Sequence, residues 1–469
     1  MSKMRIKSII KCLVVAASIL GGLFLLLKDA YTYQVKRVVR GSLSFPSAIE
    51  AGTFDISTEL GGEEMNTSSS LLFMDWSMSD EERNKSDHFG LIDDPTHLLF
   101  GRWSSGTTSY LEWELVEFNS GVSVIAGATV VPETTLIKNI TLPRSVNLTR
   151  AFPVINWRSS VADNANDEIN EYCVKFRDNE TLQFRRIENA TANNEISYQV
   201  VEFDRDVNVL NGTTNITAGN YTVNQTISTI DASKSLLIFT VLPGSTSING
   251  IEGDFLVDGY IVNNTTLRFS RGWTLYNVTA YWYVAEFQNN AFTKSGRAGW
   301  ITTDTNENVT FADSPKLNLS RTAHLVTTSN VVNATNQYED SLTGTKLVNN
   351  GTAVDLCMAR NATGQNINTS YSVIEFPPLD VLIPNGNENW TVGQTNSITW
   401  KISDSSKNHT LDLRLCKSGC SNISNYTTLI ASNVNATEGS SYMWNDVPAV
   451  ASQITGIRIC FDIRRILDD

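Results

Sequence analysis

The chain has 469 residues, 41% hydrophobic and 18% charged, with a formal net charge of −13. At about 150 residues per domain the length predicts about three domains, more if the chain repeats. The acidity argues against sequence-independent nucleic-acid binding, 10 Trp, 14 Tyr and 19 Phe argue against disorder, and four His with six scattered Cys argue against a metal-rich enzyme.

Residues 1–40 read as a signal-anchor helix. Lys3, Arg5, Lys7 and Lys11 precede an uncharged, mostly apolar run from Cys12 to Leu27. Counting Ile9 and Ile10, with Lys11 snorkelling, brings residues 9–27 close to spanning length. A cleaved signal peptide is the alternative; Lys28 and Asp29 leave no small-x-small site directly after the run. The expected location is a single-pass cell-membrane protein with the bulk of the chain extracellular.

The rest of the sequence supports an extracellular location. It holds 24 Asn-x-Ser/Thr sequons among 45 Asn, where chance would give about nine or ten. Asn66, Asn139, Asn147, Asn189, Asn215, Asn277, Asn361, Asn389 and Asn435 are candidate glycan acceptors.

From residue 41 the chain repeats. Glu-Phe recurs at 117–118, 202–203, 286–287 and 375–376, at spacings of 85, 84 and 89. Four residues before each Glu stands an aromatic: Trp113, Tyr198, Trp282 or Tyr371. Upstream lies Leu-x-(Phe/Met)-x-Arg, ending at Arg102, Arg186, Arg271 and Arg360, 15 or 16 residues before its Glu. Period-2 alternation and β-branched enrichment make these units β, with no convincing helical period after residue 40. Four small antiparallel sandwiches are expected at 41–125, 126–210, 211–296 and 297–376, as independent beads.

In Trp113-Glu-Leu115-Val-Glu117-Phe118, both faces of the strand carry apolar residues, which predicts an inner strand. The recurring Arg and Glu have two readings. One is an ion pair that plugs each core, as Arg102–Glu117, Arg186–Glu202, Arg271–Glu286 and Arg360–Glu375. The other is a polar ligand site with an aromatic platform such as Trp282. Tyr281-Trp282-Tyr-Val-Ala285, following Leu267-Arg-Phe269, resembles the end of the H-type lectin domain over about 60 residues of the third unit. That resemblance implies a six-stranded sandwich that binds N-acetylgalactosamine-type sugars; the family's sugar-binding residues find no match here.

Pro377-Pro378 marks a stiff boundary. Beyond it come Pro384-Asn-Gly386-x-Glu388-x-Trp390-x-Val392-Gly393, Ile398-Thr-Trp400, Tyr442-x-Trp444-x-x-Val447-Pro448 and Ile457-Arg458-Ile459. Residues 379–463, within a domain expected at 379–469, thereby resemble the domain shared by yeast cell-wall synthesis proteins and the Ser-Thr-rich GPI-anchored membrane family. The resemblance implies an immunoglobulin-like sandwich on surface proteins, here with its last strand truncated or altered. Cys416-Lys-Ser-Gly-Cys420 is a candidate disulfide loop.

No nucleophile, phosphate-loop or metal-ligand motif is present, so no catalytic residue, metal or cofactor is assigned and the chain is not expected to be an enzyme. The acidic pairs Asp93-Asp94, Glu63-Glu64 and Asp254/Asp258 read as solvated loop charges. The expected protein is all-β: an N-terminal membrane helix, a tandem array of small antiparallel β-sandwiches and a final immunoglobulin-like domain. Its expected role is a membrane-anchored glycoprotein stalk or envelope component, with a multivalent carbohydrate-binding adhesin as the alternative. The expected partners are the membrane, through residues 9–27, and surface glycans or cell-wall polysaccharide; self-association is open.

Overall fold

The computed structural model describes residues 34–46, 50–78, 88–104, 108–159, 171–189, 193–204, 206–244, 256–288, 291–301, 305–312, 317–332, 344–351, 353–359, 366–376, 379–383, 393–402, 410–416, 428–435, 441–445 and 458–462. The chain divides into two compact units, one spanning Thr32–Leu379 and one holding Asp380–Asp469.

The larger unit contains four modules of six strands. Module 1 has Gln34–Phe45, Ala51–Asp55, Ser70–Met78, Phe89–Asp94, His97–Gly101 and Ser109–Ser120. Module 2 has Val122–Val131, Ile137–Thr141, Ala151–Ser159, Cys173–Asp178, Thr181–Arg185 and Asn194–Phe203. Module 3 has Val207–Ile216, Thr222–Thr226, Ser235–Pro243, Val257–Asn263, Thr266–Arg271 and Val278–Phe287. Module 4 has Phe292–Trp300, Asn306–Phe311, Thr322–Val332, Gly344–Asn349, Val354–Ala359 and Asn366–Glu375. Each module pairs its strands the same way, into a three-stranded sheet of order 1-6-3 and another of order 2-5-4.

The sixth strand is central in the first of these sheets, and its alternation explains the packing. Trp113 and Leu115 point into the sandwich, against Leu72, Leu98 and Phe100. The aromatic in this strand always lies opposite a glycine on the first strand: Gly41 faces Trp113, Gly127 Tyr198, Gly212 Trp282 and Gly296 Tyr371. The ring lies flat across the glycine, so a Cβ at Gly41 would stand 2.4 Å from the Trp113 indole. These glycines recur at spacings of 86, 85 and 84.

The opposite face of the sixth strand carries Val116 and Phe118, Val201 and Phe203, Ala285 and Phe287, Ile374 and Phe376. All eight belong to one core that all four modules share. The phenylalanines of the four Glu-Phe pairs meet there. Centroid distances are 6.0 Å for Phe118–Phe203, 5.6 Å for Phe203–Phe287, 6.0 Å for Phe287–Phe376 and 5.6 Å for Phe376–Phe118, every pair edge-to-face. Each such contact is worth about 0.5–1.5 kcal/mol beyond its buried area. The modules are therefore not independent beads. They close into a ring whose axis is filled by these four side chains, and the 1-6-3 sheets are inner layers because neighbouring modules cover their second face.

The smaller unit has sheets formed by Leu379–Ile383, Asn396–Ile402 and Ser441–Trp444, and by Thr428–Asn435, Thr410–Cys416 and Arg458–Asp462. Ile398, Trp400, Leu413 and Trp444 are buried. The strand Arg458–Asp462 pairs with Thr410–Cys416.

The N-terminal expectation is corrected. Residues 34–40 belong to the first strand of module 1, paired along the sixth, and not to an anchor helix. Among the described residues no helix is long and apolar enough to cross a membrane, and the single-pass membrane location is withdrawn. The apolar run at 9–27 lies outside the described residues.

Candidate functional site

In modules 1, 2 and 3 the recurring Arg and Glu stand at opposite ends of the sandwich. Arg102, Arg186 and Arg271 are fully buried, and their guanidinium groups donate to backbone carbonyls. Arg102 donates to Pro46 O at 2.9 Å. Arg186 donates to Thr135 O, Pro132 O and Glu133 O at 2.9, 2.6 and 2.6 Å. Arg271 donates to Asn220 O, Tyr276 O and Thr217 O at 3.1, 2.5 and 2.9 Å. Each plugs the module end where the first strand turns into the second. Arg360 lies outside the described residues.

The Glu side chains hold the other end. Glu117, Glu202 and Glu286 accept the backbone N–H of Asn66, Asn147 and Asp231 at 2.9, 2.6 and 2.7 Å. Glu375 accepts that of Asn318. In three modules a different arginine pairs with this carboxylate: Arg37 with Glu117 at 2.7 Å, Arg144 with Glu202, and Arg321 with Glu375. About nine strand residues, roughly 30 Å, separate Arg37 from Pro46, the partner of Arg102. The expected Arg102–Glu117 pairing is therefore corrected, because the two belong to different ends of one sandwich. Trp282 is buried, donating its indole N–H to Thr214 Oγ1 at 3.0 Å.

Most of the chemistry lies between modules. The side chain three residues before each Glu faces a neighbour, and at three seams it binds that neighbour's backbone. Gln199 bonds both the N–H and the C=O of Leu72 at 2.8 Å. Tyr283 accepts from Phe176 N at 3.2 Å. Glu114 accepts from His324 N at 2.8 Å. At the remaining seam Ser372 stays within its own module, bonding Ser295 at 2.9 Å. That seam is held instead by Asp258, fully buried, which accepts two bonds from Arg297 at 2.6 and 3.0 Å and one from Ser370 at 3.0 Å. Asp258 is thus an interface anchor, against the expectation of a solvated loop charge.

The seam between modules 4 and 1 is the richest. It joins the two ends of the ring and has no peptide linker. Arg40 pairs with Glu114 and donates to Leu319 O at 2.7 Å and to Thr322 O. His324 Nδ1 lies 2.8 Å from Glu114 Oε1, His324 Nε2 lies 2.8 Å from Thr345 Oγ1, and Thr345 donates to Asp75. Burial pulls the His324 imidazole down, but Glu114 and Asp75 more than offset it and the net shift is upward. Burial also opposes ionisation of Glu114, yet His324 and Arg40 bring its carboxyl down to about 2. Asp75 is pushed up to about 6, chiefly by burial.

Hydroxyl, imidazole and carboxylate in line look like a nucleophile relay, but the protons are placed the other way. Thr345 gives its proton to Asp75, so His324 Nε2 donates to Thr345, while Nδ1 lies against the Glu114 carboxylate as an ion-pair contact. Nε2 therefore has no lone pair to take the threonine proton, and Thr345 is buried. This geometry is a clamp. Sequence reading missed it because His324, Glu114 and Asp75 each occur in one module only, whereas the four glycines repeat in phase and were detectable.

At the seam of modules 3 and 4 lies a cleft of about 540 Å³ lined by Ser233, Lys294, Thr310, Phe311 and Tyr371. Gly41 and Gly296 are equivalent in register, so Ser295 stands where Arg40 fills the closing seam. Lys294 Nζ is 5.4 Å from the Phe311 ring centroid.

Of the expected glycan acceptors, Asn66, Asn139, Asn147, Asn189, Asn215 and Asn277 are exposed and Asn435 ends a strand. Asn361, Asn389 and Cys420 lie outside the described residues; Cys416 ends a strand. Cys173 is buried and free.

No curated protein matches the chain. Residues 383–457, within the smaller unit, match the family described as the Kre9/KNH-like N-terminal Ig-like domain. This is the family that the motifs from Pro384 to Ile459 resemble.

Proposed function

We propose that the chain is a structural component of the cell surface or cell wall, combining a rigid four-module ring with a Kre9/KNH-like domain. The match at residues 383–457 carries this reading. The ring supports it: its shared axial core makes one block of four sandwiches, in place of the flexible string that an extended stalk would use. The full chain, tagged and expressed in its own host, should fractionate with the surface or wall. Recovery only in the soluble cytoplasmic fraction would overturn the proposal.

One observation favours a second reading, carbohydrate binding. The cleft between modules 3 and 4 sets the Lys294 ammonium beside the Phe311 ring and the hydroxyls of Ser233, Thr310 and Tyr371. A cleft of this size with polar residues at its rim suits a sugar ring, and the lysine favours an acidic one. Screening the full chain against neutral and acidic oligosaccharides, with Lys294→Ala beside it, tests the idea. Equal signals from both proteins would remove it.

A further inference from the structure

Among the described residues, two structural groups of sequons stand out. The first lies in turns. Asn66 accepts the Ser68 N–H and hydroxyl, Asn147 those of Thr149, Asn318 those of Ser320 and Asn263 those of Thr265. Here Asn and Ser/Thr build an Asx turn, and Asp does the same work at Asp231 with Ser233 and at Asp94 with Thr96. Turn chemistry alone explains these positions.

The second group lies on strands. The second strand of each module is an edge of the outer 2-5-4 sheet. Its residues alternate between exposed and half-buried along its length. In modules 2, 3 and 4 the outward positions read Asn139-Ile-Thr141, Asn224-Gln-Thr226 and Asn308-Val-Thr310. The three are equivalent in register, opposite Gln183, Arg268 and Cys357, each one residue beyond the repeated leucine of the fifth strand. Each Asn and each Thr is exposed. Asn139 Oδ1 accepts from Gln183 Nε2 at 3.0 Å, and Asn224 Oδ1 accepts from Arg268 Nε at 2.9 Å. The amide oxygen is thus held against the sheet while Nδ2, the atom a glycan attaches to, is turned away from that bond. An aspartate opposite Arg268 would gain an ion pair, and the chain keeps asparagine.

We propose that Asn139, Asn224 and Asn308 carry N-linked glycans, one on the outer edge strand of each of three modules. In the transfer, Nδ2 forms a bond to C1 of a sugar supplied on a polyprenyl-phosphate-type donor. The C1–O bond to that phosphate breaks, the lipid phosphate leaves with the bonding pair, and Nδ2 loses one proton. The glycan's role follows from its position: an edge strand presents unpaired N–H and C=O groups that can recruit another sheet, and a bulky hydrophilic chain there prevents edge-to-edge pairing.

The inference rests on the surface reading above, and its test is independent of fractionation. The full chain is purified from its own host, digested, and the peptides spanning 137–141, 222–226 and 306–310 are analysed by mass spectrometry before and after amidase release of glycans. Each should carry a glycan mass that converts Asn to Asp on release. Thr141→Val, Thr226→Val and Thr310→Val keep each Asn and the strand propensity but destroy the sequon. Each should remove one glycan, and the triple variant should self-associate more at equal concentration in size-exclusion with light scattering. Unmodified peptides at all three sites would overturn the proposal, even if the protein fractionates with the surface. Glycans confined to the turn group would overturn it equally. Full occupancy with an unchanged association state in the triple variant would overturn the edge-covering role.

Discussion

His324 Nδ1 in module 4 lies 2.8 Å from Glu114 Oε1 in module 1, across the one seam of the ring that has no linker. The other three seams hold neighbours that the chain already keeps close. Here association must be held by contacts alone, and the chain places there a buried ion pair tied to backbone carbonyls through Arg40. Removing the charge at Glu114 should leave a buried imidazolium without its partner, so Glu114→Gln should cost about 3–5 kcal/mol. Limited proteolysis should then cut first in modules 1 and 4. Unchanged unfolding would show that the pair contributes nothing to closure.

The same cluster fixes a pH dependence. The folded pKa of His324 is raised, so its contribution is complete below the unfolded value and is lost as pH rises through the folded one. Asp75, raised to about 6, binds a proton more tightly in the closed ring and so also costs stability as pH rises from the unfolded value. Glu114, lowered to about 2, contributes above its unfolded value and is lost as pH falls towards 2. Stability should peak in mildly acidic solution, near pH 4–5 by these shifts, and decline above it. Thermal unfolding from pH 4 to 9 should show the decline, and Asp75→Asn should flatten it around pH 6. A profile that rises to pH 8 would contradict the proton placement.

The four axial phenylalanines make one prediction about cooperativity. Phe287→Ala should cost about 3–5 kcal/mol, as for a large side chain removed from a packed core. Because Phe287 touches both Phe203 and Phe376, the loss should be felt by the ring as one transition. Tryptophans in separate modules report on this, since Trp113, Trp282 and Trp300 are buried in modules 1, 3 and 4. Separate transitions would mean that the shared core is weaker than the sandwiches.

The sixth strand shows how much of this fold could be read in advance. Val116 and Phe118 on one face, with Trp113 and Leu115 on the other, announced a strand covered on both sides. The repeat announced four copies of it. What covers the second face could not be read, because four separate sandwiches and one closed ring need the same alternation. The recurring Arg closes the Leu-x-(Phe/Met)-x-Arg pattern, and Arg102, Arg186 and Arg271 are buried there. Its partners were missed because backbone carbonyls such as Thr217 O and Asn220 O leave no mark in the sequence. The clamp was missed because Glu114 and His324 are 210 positions apart, in different modules, without equivalents elsewhere.

Arg271 and Glu286 separate the two module ends experimentally. Arg271→Met removes three bonds to carbonyls and leaves those acceptors buried, a loss of about 3–5 kcal/mol. Arg271→Lys should rescue little, because an ammonium cannot reach three acceptors with the spread of a guanidinium. Glu286→Gln should cost less than about 1 kcal/mol, since its amide oxygen still accepts the Asp231 N–H. If Arg271 and Glu286 were partners, both variants would be equally damaging and the double variant would recover stability. Denaturant unfolding of the three single variants and the double variant decides between these patterns.

The ring also predicts how a single module behaves. Residues 206–288 contain every strand of module 3, so its own sandwich could form. Its 1-6-3 sheet, however, would present Val207, Val209, Leu236, Ile238, Tyr283, Ala285 and Phe287 to water, all of them buried in the shared core of the ring. A contiguous apolar face of this kind drives association. The isolated module should therefore oligomerise or precipitate, and Phe287→Ser with Ile238→Thr should raise its solubility while destabilising the intact ring. Residues 34–376 expressed as one chain should be monomeric, because the ring closes on itself. Light scattering on both proteins at matched concentration is the measurement, and a soluble, monomeric, well-folded single module would return the architecture to independent beads.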